Sequence, residues 1–152
     1  MMNKRCNFAL VFRVIRNFLV REKSYIEERD EALYKAYVTA LGQPDVKSHQ
    51  QAIAVAISSP TSQFWIEPYR AYREILWYSK GKRPFRISNN RRDLMNELYA
   101  KYLSLKDKPS FRGCSTFFIS QFAVAMPASS FYMSYRSALR IITRKRNEKK
   151  RM

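Results

Sequence analysis

Residues 123–142 read AVAMPASSFYMSYRSALRII, and residues 56–75 read AISSPTSQFWIEPYRAYREI. The two stretches share a proline, a serine, a phenylalanine, an alanine, an arginine and an isoleucine at a constant offset of 67 residues. Upstream, residues 31–44 align with residues 96–109 at an offset of 65, with four further identities. Identities in a fixed order, interrupted by one two-residue insertion, indicate an internal duplication.

Each copy has the residue pattern of three helices. Apolar residues recur at helical spacing in the first two, and Ser48 with Gln51 forms a capping-box pattern before the second. In the first copy the third helix has Pro68 at its first position, where the missing N–H costs nothing. The expected helices span 26–41 and 49–58 and begin after Glu67 in the first copy; they span 93–105 and 115–125 and begin after Ser134 in the second.

These elements predict an all-α fold with two tandem three-helix units of helix-turn-helix-like outline. Residues 7–21 can form an amphipathic helix, which is expected to pack on the first unit, with a membrane-surface helix as the alternative. The connector between the second and third helices, with PTSQFWI or PASSFYM, is expected to be extended and exceeds the usual three- to four-residue turn. The predicted domains are 1–25 (N-terminal helix), 26–80 (unit 1), 81–92 (basic linker) and 93–152 (unit 2 with a basic tail).

The net charge of +17 is unevenly distributed along the chain. Residues 24–80 hold six Lys/Arg against seven Asp/Glu, whereas residues 91–152 hold fourteen against four. Such asymmetry predicts that one half of the chain faces a polyanion and that the other half has a different role.

The third helix of the second copy is the candidate contact surface. If Tyr135, Ala138, Leu139 and Ile142 face the core, three arginines at i, i+4 and i+8 form a stripe on the other side. Guanidinium groups can bridge phosphates or bind guanine edges, although a basic face can also be merely solvated. The predicted contacts are Arg136, Arg140, Arg144, Lys145, Arg146, Lys149, Lys150 and Arg151, with Arg73, Lys82, Arg83 and Arg86 in the first copy and the linker.

The first copy departs from this pattern, because Tyr69 and Trp77 replace Arg136 and Arg144. We expect its third helix to pack against the N-terminal helix or a partner subunit, with ordinary core packing as the alternative.

No catalytic, metal or cofactor site is predicted. His49 is the only histidine, the three glycines form no phosphate-binding loop, and no Cys or His cluster is present. Cys6 and Cys114 have no paired spacing and are expected to be free thiols in a reducing cytoplasm. No run of about 18 uncharged apolar residues is present, so a membrane span is not expected.

The recurring string of a proline, a serine and an aromatic pair, at Pro60 to Ala71 and at Pro127 to Ala138, resembles a group of short two-copy helical bacterial proteins without an assigned function. The likeness covers roughly residues 26–146. It implies a duplicated helical fold and a bacterial or mobile-element origin, and it transfers no active residues.

Together these patterns predict a non-enzymatic, cytoplasmic nucleic-acid-binding protein, with DNA as the expected ligand. The alternative is a helical adaptor or assembly protein whose basic surface binds an acidic protein partner or a membrane surface.

Overall fold

The computed structural model describes the chain from residue 8 and its side chains from residue 25. Within this range the regular structure is helical, apart from one isolated β-bridge, so the predicted all-α fold is confirmed. The helices are α1 (Phe8–Leu41), α2 (His49–Ile57), α3 (Pro68–Ser79), α4 (Asn89–Lys106), α5 (Thr116–Val124) and α6 (Tyr135–Lys150), with a 3-10 turn at Pro109–Phe111.

Helix α1 is continuous over 34 residues. The prediction of two separate helices, over 7–21 and 26–41, is therefore wrong. Residues 22–25 (Glu, Lys, Ser, Tyr) contain no glycine or proline that would end a helix, so propagation through them is favourable. The predicted packing of residues 7–21 concerns side chains outside the described part of the chain.

The caps at Ser48, Glu67 and Ser134 set helix starts as predicted. Helix α4 begins at Asn89, four residues before its predicted start, with Ser88 as its cap. The Ser48 hydroxyl accepts from the N–H of Gln51 at 3.1 Å, and the Glu67 carboxylate accepts from the N–H of Arg70 at 3.0 Å. Ser134 caps α6 through the N–H of its third residue. Each cap satisfies an N–H group that has no partner within the helix.

The contacts within the chain form two compact units. One, the split unit, consists of residues 24–61 and 128–152, and the other, the central unit, is built around residues 62–127. In the split unit α2 packs against α6, whereas in the central unit α3 packs against α4 and α5. The third helix of each predicted copy thus packs with helices of the other predicted copy. This grouping differs from the predicted units 26–80 and 93–152.

Within the split unit, backbone hydrogen bonds join the segment before α6 to the segment after α2. Thr61 and Ala128 form an antiparallel bridge in which each N–H donates to the other carbonyl at 2.9 Å. The N–H of Phe131 also donates to the carbonyl of Ile57 at 3.0 Å. The segment predicted to be extended thus contains a single β-bridge and does not form a strand.

The central unit has a matching attachment. The N–H of Phe64 donates to the carbonyl of Val124 at 2.9 Å, and both residues stand 67 positions from the pair that bonds in the split unit. Glu74 of α3 and Arg91 of α4 form an ion pair at 2.6 Å with both side chains largely buried. The segment that leads into α3 is therefore held to α5 by a hydrogen bond, and α3 itself is held to α4 by an ion pair.

Cys114 is disulfide-bonded, so the prediction of a free thiol at this position is wrong. Bonding depends on how close the folded chain brings two cysteines, which their sequence spacing does not show. Cys6 lies outside the described residues. Because disulfides persist mainly in oxidising compartments, a bonded Cys114 does not support the predicted cytoplasmic location.

None of the helices from residue 8 onward combines the length and the apolarity needed to cross a bilayer.

Candidate nucleic-acid interface

The face of α6 that packs into the split unit differs from the predicted one. Ala138, Ile141 and Ile142 are buried, whereas Tyr135 and Leu139 are about 40% exposed. Ala138 and Ile142 were predicted correctly, but the placement of Tyr135 and Leu139 in the core is wrong. The apolar periodicity allows Ala138 and Ile142 to be buried together either with Leu139 or with Ile141. Packing against α2 selects Ile141.

The outward face of α6 lies opposite these residues. At 100° per residue it contains Arg136, Arg140, Thr143, Asn147 and Arg151, all exposed. A surface depression of about 570 Å³ runs along this face and is lined by Arg140 and Arg151 and also by Arg144 and Glu148. In the described part of the chain, no carboxylate pairs with Arg136, Arg140 or Arg151. They are available to an anionic ligand.

Arg144 has a different environment from Arg136 and Arg140. It binds the carboxylate of Asp30 on α1, whose side chain is only 1% exposed. Arg29 binds the other oxygen of the same carboxylate, with its Nη2 at 2.8 Å. Glu148, one turn along α6, lies 3.7 Å from the Arg144 Nε. Arg144 therefore fastens α6 to α1 and, unlike Arg136 and Arg140, is bound to a carboxylate.

Lys145 and Lys149 fasten the same two helices. Both ammonium groups reach the Glu31 carboxylate, at 3.4 and 3.3 Å, and the Lys149 ammonium also lies 4.7 Å from the centre of the Tyr34 ring. The hydrogen bond from Lys149, aided by the nearby charge of Lys145, holds the pKa of Glu31 below its ordinary value of 4.5. These two lysines are engaged within the split unit.

We expect Glu31→Gln to lower the free energy of unfolding at neutral pH by only about 0.2–1 kcal/mol, because the ion pairs of Glu31 with Lys145 and Lys149 are solvent-accessible. A carboxyl whose folded-state pKa is depressed stabilises the fold above its unfolded pKa, and this contribution is lost as pH falls through the folded value. The difference in melting temperature between the wild type and Glu31→Gln should therefore shrink below pH 4.5. Thermal melts at neutral and acidic pH measure it, and a difference independent of pH would contradict the assignment.

The remaining predicted cations of α6 lie at its edges and end. Arg146 is half-buried and Lys150 is exposed, and neither has a carboxylate partner among the described residues. Arg146 is close enough to the buried Tyr37 hydroxyl for its charge to oppose the effect of burial, which raises the pKa of Tyr37. That hydroxyl also hydrogen-bonds to Nδ1 of His49. The only histidine thus contacts α1, a role that its position at a helix start did not reveal.

The other predicted site residues belong to the central unit. Arg83 donates to the carbonyl of Tyr78 at 3.0 Å and its guanidinium lies 4.0 Å from the centre of that ring. It holds the segment after α3 and is less available than predicted. Arg73, Lys82 and Arg86 are exposed.

In the range that the structure describes, no three His, Cys, Asp or Glu side chains gather into a metal-binding group. No protein-family model, curated protein or solved structure matches the chain.

Proposed function

We propose that the protein is a non-enzymatic nucleic-acid-binding protein, with DNA as the expected ligand, and that the outward face of α6 contacts phosphates. The observation that carries this proposal is the exposure of Arg136, Arg140 and Arg151 on one helix face, without carboxylate partners among the described residues. Three of the eight cations between residues 136 and 151 are held by carboxylates of the split unit. The cations that remain on the outward face have no such role in the fold.

The same contacts limit how many phosphates α6 can neutralise. Arg136, Arg140, Lys150 and Arg151 could engage about four phosphates, which corresponds to a salt slope of about −3.6 for duplex DNA. Engagement of Arg144, Lys145 and Lys149 as well would need their internal ion pairs to break. A slope of about −3.6 is therefore expected, and a much steeper one would indicate additional contacts.

Replacing Arg136 and Arg140 together by alanine should weaken DNA binding and reduce the salt slope by about 2, since two phosphate contacts are lost. Fluorescence anisotropy with a labelled duplex, across a series of salt concentrations, measures both effects. The matched control is Thr143→Ala, which changes the same face without changing its charge. An unchanged slope in the double variant would exclude α6 as the contact surface.

We also propose that the chain arose by duplication in a bacterial setting. Support comes from the helix starts, since α2 and α5 begin 67 residues apart, as do α3 and α6. We also propose a cytoplasmic location, for which Cys114 should be reduced in cells; a disulfide that persists there would contradict it.

The second candidate function is a helical adaptor whose basic surface binds an acidic protein or a membrane surface. The exposed side chains of Tyr69, Trp77 and Phe85 in the central unit favour it. An adaptor that used these rings would bind its partner even with Arg136 and Arg140 replaced by alanine, and it would show no binding to nucleic acid.

A further inference from the structure

Helix α3 presents an exposed face of unusual composition. Tyr69, Arg73 and Trp77 follow one another at i, i+4 and i+8, and Lys80 at the end of the helix projects in the same direction. Tyr69 is 55% exposed and Trp77 is 47% exposed. Two aromatic rings on this face thus alternate with a guanidinium group.

Among the described residues of the central unit, the core lies on the other side of α3. The buried residues of α3 are Ala71, Ile75 and Tyr78, on the opposite side. The one acidic residue within α3, Glu74, is largely buried and is held by Arg91. The Tyr69–Lys80 face therefore combines flat apolar surface with positive charge and contains no carboxylate.

The segment after α3 adds positive charge at one end of this face. The N–H of Lys82 donates to the carbonyl of Trp77 at 2.9 Å, which brings the chain back to the end of the helix. The side chain of Lys82 is exposed. A ligand lying along α3 would meet cations at its centre and at the Trp77 end.

We infer that the Tyr69–Lys80 face binds unpaired bases of a single-stranded nucleic acid, an inference that rests on the proposed nucleic-acid-binding function. The complementary ligand must be anionic and must offer flat surfaces for stacking, and a nucleobase on a phosphate backbone has both properties. Tyr69 and Trp77 stand about 12 Å apart along the helix axis, with Arg73 between them for a phosphate. Bases stacked inside a duplex do not expose their faces to such rings.

Binding of matched oligonucleotides tests the inference. The probes are a single-stranded thymidine oligomer, a uridine oligomer of the same length and a duplex of the same number of base pairs. Trp77→Ala and Tyr69→Ala should each weaken binding of the single strands at least about fivefold, the loss expected for one stacked base. Duplex affinity should change less than about twofold. The two single strands together show whether the ligand is DNA, RNA or either.

Controls separate stacking from loss of structure. Trp77→Phe keeps a ring and should retain most of the single-strand affinity, and Val38→Ala removes an exposed apolar side chain of the split unit and should change nothing. In a Trp65→Phe background Trp77 is the only tryptophan, and its fluorescence should be quenched by the single strands.

The outcomes distinguish this inference from the function on which it rests. Equal losses for single strands and duplex, or no loss in either alanine variant, would overturn the stacking role and leave the phosphate contacts of α6 in place. Absence of binding to all three probes would overturn both. Self-association that Trp77→Ala abolishes would assign the face to a second copy of the chain and overturn the inference.

Discussion

Ending the chain at residue 133 is expected to remove the protection of α2 from amide hydrogen exchange while α5 keeps its protection. Helix α2 has nine residues, and Ala52, Ile53 and Ala56 on its buried face belong to a unit in which it packs against α6. An isolated helix of that length is marginal in water. Helix α5 packs against α3 and α4, which the truncated chain retains.

The opposite result is expected if each sequence copy folds with its own third helix. In that case α2 would keep its partner and α5 would lose one, so protection of residues 116–124 would fall and that of residues 49–57 would remain. Hydrogen exchange read out by mass spectrometry on these two segments decides between the arrangements. Ending the chain at residue 146, which keeps Ile141 and Ile142, is the matched control and should protect both helices.

Arg144→Ala is expected to lower the free energy of unfolding by about 1.5–3 kcal/mol, the range for losing a hydrogen bond to a buried charged group. Complete loss of a buried partner costs about 3–5 kcal/mol, but Arg29 remains on the Asp30 carboxylate and limits the loss. Arg140→Ala, one turn away and exposed, should stay within about 0.5 kcal/mol. Denaturant unfolding of both variants measures the difference.

A double-mutant cycle shows whether the cost belongs to the ion pair. In an Asp30→Asn background Arg144 has lost its buried carboxylate partner, so adding Arg144→Ala should cost less than about 0.5 kcal/mol. The order of the two variants should be reversed for DNA binding, which Arg140→Ala should weaken more than Arg144→Ala. Equal stability losses for Arg144→Ala in both backgrounds would contradict the assignment.

Ion pairs offer a physical reason for the exchange of third helices. In the alignment of the two copies, Trp77 occupies the position of Arg144, and Met95 that of Asp30. If α3 packed on α1 in place of α6, the buried Asp30 carboxylate would face Trp77 and would lose Arg144. We infer that the Asp30 carboxylate, buried with Arg29 but without Arg144, would be less well compensated, and that this cost disfavours the contiguous arrangement.

The candidate site was predicted in part. The helix, its position near the end of the chain and the two free arginines Arg136 and Arg140 follow from the spacing of charged residues. The roles of Arg144, Lys145 and Lys149 do not, since their partners Asp30 and Glu31 lie more than 110 residues earlier. The acidic stretch around residue 30 lies far inside α1.

Helix type and most helix starts could be predicted from the residues alone, because capping groups and apolar periodicity act within a few positions along the chain. The partner of each third helix, and the cations that remain free for a ligand, could not. They depend on contacts between segments far apart in the sequence, where an ion pair such as Asp30–Arg144 and the burial of Ile141 select one packing among several that the local pattern allows.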